Sequence, residues 1–180
     1  MSIQQQIEEI ALNYPVCEYT FGDIEEVPFS DKIWYICKTD CKRYGKSWSC
    51  PPYAGAGDLE KNIEKCKNYQ KFLVFSTVTE VENAWDAEVC LACQKDHTEV
   101  TDQMYEEIKA LGVESFLLST GCVICEECAC PNEPCRHPEQ RHESMESHGI
   151  NVMQLSDAKG MCYNYGGDTV VYFSMVLFNE

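Results

Sequence analysis

"VESFLLSTGCVICEEC", Val113 to Cys128, joins two kinds of sequence without a spacer. Its first half, "VESFLLST", is a short apolar run that reads as a buried strand. Its second half opens at Gly121 and repeats cysteine at every third position: Cys122, Cys125 and Cys128. A strand that runs straight into clustered cysteines puts them in a loop at a sheet end. Continued to Pro138, the stretch adds Cys130 and Cys135, so that five cysteines fall within fourteen residues.

Two more segments read as strands, "KFLVFSTVT" from Lys71 and "DTVVYFSMVLF" from Asp168. Before and between them lie helical patterns. Ile3, Ile7, Ile10 and Ala11 recur at helical spacing over residues 3–12, and Pro15 stops them. In "GDLEKNIEKCKNY", Asp58 is placed as an N-cap, with Leu59, Ile63 and Cys66 on one face. Residues 82–111 are helical in character, with a stripe of Met104, Tyr105, Ile108 and Leu111 closed by Gly112. "HESMESHG", His142 to Gly149, reads as a short helix. The expected fold is α+β: a small central sheet flanked by helices, with cysteine-rich loops at about 35–57 and 121–138 at strand ends. With neither an internal repeat nor a low-complexity linker, residues 1–180 are expected to form a single domain.

Composition limits the function. The chain is 44% hydrophobic and 11% aromatic, which is globular rather than disordered. Fourteen basic against thirty acidic residues give a net charge of −16. That charge repels phosphate backbones and anionic membranes, so no nucleic acid or membrane partner is expected. The start "MSIQQQIEEIALNYP" lacks the basic residues and apolar run of a signal peptide, and the expected location is cytoplasmic. There, thirteen cysteines argue against a disulfide framework: the compartment is reducing and the count is odd. Thiolate ligation of a soft metal is the better reading.

Spacing refines that reading. Zinc usually draws two ligands from each of two hairpins, whereas a cubane offers several iron corners to one tight loop. Three evenly spaced cysteines favour iron–sulfur, with zinc as the alternative. A ferredoxin run would need a cysteine where Asn132 stands, which leaves the fourth ligand open between Cys130 and Cys135. Earlier in the chain, "YICKTDCKRYGKSWSCPPYAGAG" holds Cys37, Cys41 and Cys50. With only three thiolates, this site needs a further ligand or leaves one iron open.

The pattern "CKRYGKSWSCPP", then "GCVICEEC", "PCRHP" and "SMESHGINV", resembles the predicted metal-binding family named domain of unknown function 2284. The resemblance runs from about residue 34 to the closing strand. It implies metal binding in anaerobic bacteria and archaea, and it implies no particular reaction. Carried onto this chain it falls on Cys37, Cys41, Cys50, Cys122, Cys125, Cys128 and Cys135, and favours Cys135 over Cys130. One or two [4Fe–4S] clusters are the cofactors expected.

The other cysteines read as follows. Cys90 and Cys93, three apart on a helix, share one face and are expected to pack against the core. Cys17, Cys66 and Cys162 carry no spacing signal; Cys162, then Cys17, are the candidates for a missing ligand at the first site. His137, His142 and His148 read as surface or capping residues and His97 as solvated. Lys32, Lys38, Lys42, Arg43 and Lys46 make a basic patch around the first site, suited to a cluster's negative charge or to an anionic ligand. Trp34, Tyr35, Tyr44 and Trp48 are expected to shield it from water.

Three function classes follow: an electron-transfer protein with a redox partner protein, a reductase or activase with an open iron at the three-cysteine site, and a structural or metal-delivery zinc protein. No Ser–His–Asp set, phosphate loop or dinucleotide fingerprint supports other chemistry. Whether the protein is an enzyme, and its oligomeric state, are left open by the sequence.

Overall fold

Two ten-residue strands form the spine of the computed structural model, which describes residues 1–180. β2 (Lys71–Glu80) and β5 (Thr169–Phe178) pair antiparallel along their whole length. β1 (Glu18–Asp23) adds to the free side of β2, and β3 (Ser115–Ser119) to the free side of β5, both antiparallel. The two-residue β4 (Glu143–Ser144) lies parallel to β3, giving the order β1-β2-β5-β3-β4.

The run of apolar residues in β2 and β5 is continuous because both sheet faces are covered. Phe72 and Val74 look one way with Met175, Leu177 and Leu118. That side is closed by Cys66 of α3 (Leu59–Lys67), Leu155 of α5 (Val152–Ala158), and Met145 and Ile150. Leu73 and Phe75 look the other way with Val176 and Phe178, onto Ile7 and Ala11 of α1 (Ile3–Ala11) and Met104 and Ile108 of α4 (Ala87–Ala110). Each fully buried Phe or Leu contributes about 1.5–3 kcal/mol. The expected α+β class therefore holds, with its helices on both faces.

Local signals behave as read. Asp58 Oδ1 accepts the Lys61 N–H at 3.0 Å and starts α3, and Gly112, at φ +74°, follows α4. Tyr105 donates to the Ser115 carbonyl at 3.1 Å, tying α4 to β3.

Four expectations need correction. Residues 142–149 are not a helix but β4 followed by a 3-10 turn, Glu146–His148, closed by Gly149 at φ +70°. The backbone here pairs with other segments instead: Ser144 N–H reaches the Ser49 carbonyl at 2.8 Å and Met145 N–H the Ser119 carbonyl at 3.1 Å. The first cysteine segment is not all loop, since α2 (Lys32–Asp40) carries Cys37. β1 was not expected, because none of its six residues is fully buried and its alternation is weak. Its Gly22 lies under the Phe72 ring, where an added Cβ would stand 2.5 Å from Cζ.

His97 is the fourth, being 1% exposed rather than solvated. Its Nδ1 hydrogen-bonds with the Thr77 hydroxyl and its Nε2 with the Ser174 hydroxyl, both at 2.8 Å, and Ser119 continues the chain to Ser174 at 2.7 Å. Rotatable hydroxyls satisfy either tautomer of a neutral imidazole. Burial pulls the His97 pKa down to about 4, from 6.5. Below pH 6.5 the unfolded chain takes up a proton that the folded chain refuses until about pH 4, so stability falls across that window. Wild type should lose about 2 kcal/mol more than His97→Gln between about pH 7 and pH 5 in urea titrations. Parallel pH profiles would show that His97 is not held neutral.

Candidate metal centre

β3 ends at Ser119, and Gly121, at φ +99°, turns the chain out of the sheet. The loop that follows has no regular structure of its own and is fastened by one bond from outside and one within. Trp48 Nε1 donates to the Glu133 carbonyl at 3.0 Å, and Arg136 to the Glu127 carbonyl at 3.2 Å. Cys122, Cys125, Cys128 and Cys135 line one small cavity, walled on the far side by Ser47 and Trp48 of the first cysteine segment. Cys130 is buried outside that lining, its thiol pKa raised by burial.

The first segment is shaped by α2 and a turn. Cys37 sits on α2, and Cys41 caps it, its N–H donating to the Cys37 carbonyl at 3.1 Å. Gly45, at φ +69°, allows the reversal that brings its N–H to the Pro51 carbonyl at 2.9 Å. Asn62 of α3 holds the returning chain: Oδ1 accepts from Ala56 N–H at 2.8 Å, while Nδ2 donates to the carbonyls of Ala54 at 3.0 Å and Ser147 at 2.9 Å. Trp34 Nε1 also donates to Ser147, at 3.0 Å. Cysteine segment and 3-10 turn are thus one unit.

The three thiols feel one another. Burial, then the charges of Glu146, Cys41 and Cys50, pushes the Cys37 pKa up to about 12. Burial pushes Cys50 up to about 11, against a hydrogen bond from Ser47 and the nearby Arg43 cation, which lower it. Cys122 is likewise raised by burial, with Cys135, Cys125 and Cys128 adding to it.

Arg43 links the two sets. Its Nη1 donates to the Cys122 carbonyl at 3.0 Å and its Nη2 to Gln94 Oε1 at 3.1 Å, while its charge acts on Cys50. Gly121 marks how close they lie, since an added Cβ there would stand 3.5 Å from Cys50 Sγ and 3.5 Å from Arg43 Nη1. Of the basic patch, Lys32, Lys38, Lys42 and Lys46 are exposed and Arg43 alone reaches inward. The aromatic shield divides: Trp34 and Trp48 pack and hydrogen-bond, Tyr44 is half-buried, and Tyr35 is 70% exposed.

Glu146 is the residue that sequence reasoning missed. It lies in "SMESHGINV", quoted for its pattern but given no role. Burial raises its carboxyl pKa, and its charge in turn raises Cys37, Cys50 and Tyr163. It shares a cavity wall with Cys37, Cys162 and Tyr163. Cys162 therefore lies near the first site, although its thiol donates to the Asn164 carbonyl at 3.3 Å. Cys17 is exposed beside the Tyr165 hydroxyl, at 3.7 Å.

The remaining candidates are placed elsewhere. Cys66 is fully buried in the core, Cys93 is buried, and half-buried Cys90 donates to the Ala84 carbonyl at 3.2 Å. His137 is exposed and His142 pairs with Asp102 at 2.6 Å. His148 is fully buried rather than on the surface, 3.1 Å from Glu143.

The donor set fits a metal. Cys50 is buried, Cys41 exposed, and Cys37, Cys122, Cys125, Cys128 and Cys135 half-buried, and seven thiols in two adjoining segments are a soft donor set of the kind that suits zinc or iron–sulfur. No three His, Cys, Asp or Glu side chains converge as a single-ion shell. No helix is long and apolar enough to cross a membrane.

Neither curated proteins nor solved structures give a match. A family model does, over residues 22–178, which takes in every cysteine from Cys37 to Cys162 and the whole sheet except the first residues of β1. The chain belongs to the family described as predicted metal-binding protein (DUF2284).

Proposed function

We propose that this metal-binding protein is an iron–sulfur protein with a redox role in anaerobic metabolism, exchanging single electrons with a partner protein. The observation that carries the reading is the adjacency of two cysteine sets in one packed unit, with Cys50 against Gly121 and Arg43 spanning both. Cys122, Cys125, Cys128 and Cys135 would hold one [4Fe–4S] cluster, and Cys37, Cys41 and Cys50 a second. One-electron exchange is the chemistry such a group supplies when bound.

The chain's own residues set the conditions for that exchange. Arg43 puts a cation between the sites, held by the Cys122 carbonyl and acting on Cys50, and a cation there favours the more negative, reduced state. Trp48 and Ser47 close the cavity of the four-cysteine set against water. The net charge of −16 suits docking on a basic patch of the redox partner in the cytoplasm. Zinc competes as the metal, and its chemistry would need neither the second cysteine set nor a cation between the two.

Protein prepared without oxygen should be brown, carry iron with matching acid-labile sulfide, and bleach on dithionite. Stoichiometric zinc without sulfide would sink the reading. In Cys125→Ser, one cluster should go and the other remain, counted as iron per chain.

Arg43→Met tests the link. Loss of the charged hydrogen bonds should cost about 1.5–3 kcal/mol of stability. In EPR-monitored titrations the midpoint potentials of both sites should move to more negative values, while the exposed Lys46→Met leaves them in place. Unchanged potentials in Arg43→Met would mean that the cation does not act on the sites.

A further inference from the structure

Five side-chain polar atoms of the protein are buried without a hydrogen-bond partner, and their placement is not scattered. Glu143 Oε2 and His148 Nε2 stand 3.1 Å apart and face each other. Ser76 Oγ lies on β2, within the sheet. The other two, Ser49 Oγ and Arg141 Nε, belong to residues that wall the same cavity as Cys122, Cys125, Cys128 and Cys135. A polar atom buried unpaired costs free energy, so two at one cavity call for a common explanation.

Both are donors in want of an acceptor. Ser49 is 0% exposed, its N–H donates to Ser47 Oγ at 3.2 Å, and its carbonyl accepts from Ser144 at 2.8 Å. The hydroxyl is the one polar group it has left. Arg141 is half-buried and forms no salt bridge, in a chain with thirty acidic residues. A guanidinium has no acceptor site, so Nε–H must meet an electron-rich atom. No Asp or Glu belongs to the cavity wall, and Arg136, which does, is committed through Nη2 to the Glu127 carbonyl. The cavity is therefore rich in donors and poor in oxygen acceptors, and what it holds in number is sulfur. Neutral thiols are weak acceptors, whereas metal-bound sulfur carries the negative charge that such donors bond most strongly.

We propose that Ser49 and Arg141 donate hydrogen bonds to the sulfur atoms of the group held by Cys122, Cys125, Cys128 and Cys135, and so tune the potential of that site alone. The inference rests on an iron–sulfur group there, as in the function proposed above, and names two residues that regulate it. Reduction adds negative charge to the sulfurs, and donors aimed at them favour the reduced state. Arg43 reaches both cysteine sets, but Ser49 and Arg141 offer their free donors on the wall of one. They therefore hold the two sites at different potentials, which gives an electron a preferred resting place.

The test uses anaerobically prepared wild type, Ser49→Ala, Arg141→Met and Arg141→Lys, read by resonance Raman in H₂O and D₂O and by EPR-monitored titration. Wild-type iron–sulfur stretching bands should shift between the two solvents, and the shift should shrink in each variant. At a fixed potential, Ser49→Ala and Arg141→Met should each lower the reduced-to-oxidised ratio of one cluster about tenfold, or about 59 mV for one electron. Arg141→Lys, which keeps the charge without Nε–H, should fall between wild type and Arg141→Met. In a Cys125→Ser background, Arg141→Met should leave the remaining cluster's potential in place. Wild-type bands that do not move in D₂O overturn the proposal even if a variant fails to fold. Unchanged potentials in Ser49→Ala and Arg141→Met overturn it too, since the donors then meet water and not sulfur, as does a shift of the cluster that remains in Cys125→Ser. Recovery of zinc without sulfide defeats the iron–sulfur reading separately. The donor assignment is then read from alkylation of the metal-bound thiolates by iodoacetamide, which is faster in Ser49→Ala and Arg141→Met if it is right and unchanged if it is wrong.

Discussion

The antiparallel ladder between β2 and β5 is the constraint on which the rest depends. Ten residue pairs, from Lys71 with Phe178 to Glu80 with Thr169, fix a frame buried on both faces. Because side chains alternate, a one-residue slip would exchange Phe72 and Val74 with Leu73 and Phe75 and mismatch both helical layers at once. A rigid register lets β3, paired from Ser115 with Phe178 to Leu118 with Met175, deliver Gly121 to a defined point. Both cysteine sets are located from that point: Cys122 follows it in the chain and Cys50 packs against it.

The site side of the molecule is held by polar contacts rather than by a sheet. Asn62, Trp34, Trp48 and Arg43 each reach from one segment to a backbone carbonyl of another. Such bonds contribute about 0.5–1.5 kcal/mol each, and more where charged. They are aimed at carbonyls of turns and loops, which have no ladder partner and cost free energy if buried unpaired. The same bonds that satisfy the loops therefore also set the distance between the thiols, so that folding and site assembly are one event.

Much of this was legible in the residues. The three expected strands β2, β3 and β5, α1, the Asp58 cap and the Gly112 and Gly149 stops all follow from local rules that tertiary packing did not override. What was hidden depended on contacts distant in sequence. β1 shows weak alternation because it is an edge strand, partly covered on each face. His97 carries no sign of burial in "KDHTEV"; only the hydroxyls of Thr77, Ser174 and Ser119, gathered from three strands, make burial tolerable. At the site, cysteine spacing drew attention to the thiols, but Arg43 looked like one of five similar cations and Glu146 like one of thirty acids. Nothing local separates them from their kind.

The absence of a helix over residues 142–149 and the placement of Glu146 have one cause. In a helix, Glu143 and Glu146 would lie three positions apart on a common face and share their surroundings. In the folded chain, Ser144 and Met145 give their N–H groups to Ser49 and Ser119, so the backbone is extended at Glu143 and turns only afterwards. That break sends the two carboxylates apart. Glu143 goes to His148 and Lys65, which lower its pKa against burial, and Glu146 goes toward Cys37 and Cys50, whose pKa values its charge raises. A chain with thirty acidic residues has ample carboxylate on its surface, where water solvates it at little cost. Directed inward, the Glu146 carboxyl is desolvated and its pKa raised, against hydrogen bonds from its own N–H and the Ser144 hydroxyl. The shape of the turn is set by the Ser49 and Ser119 carbonyls that Ser144 and Met145 reach.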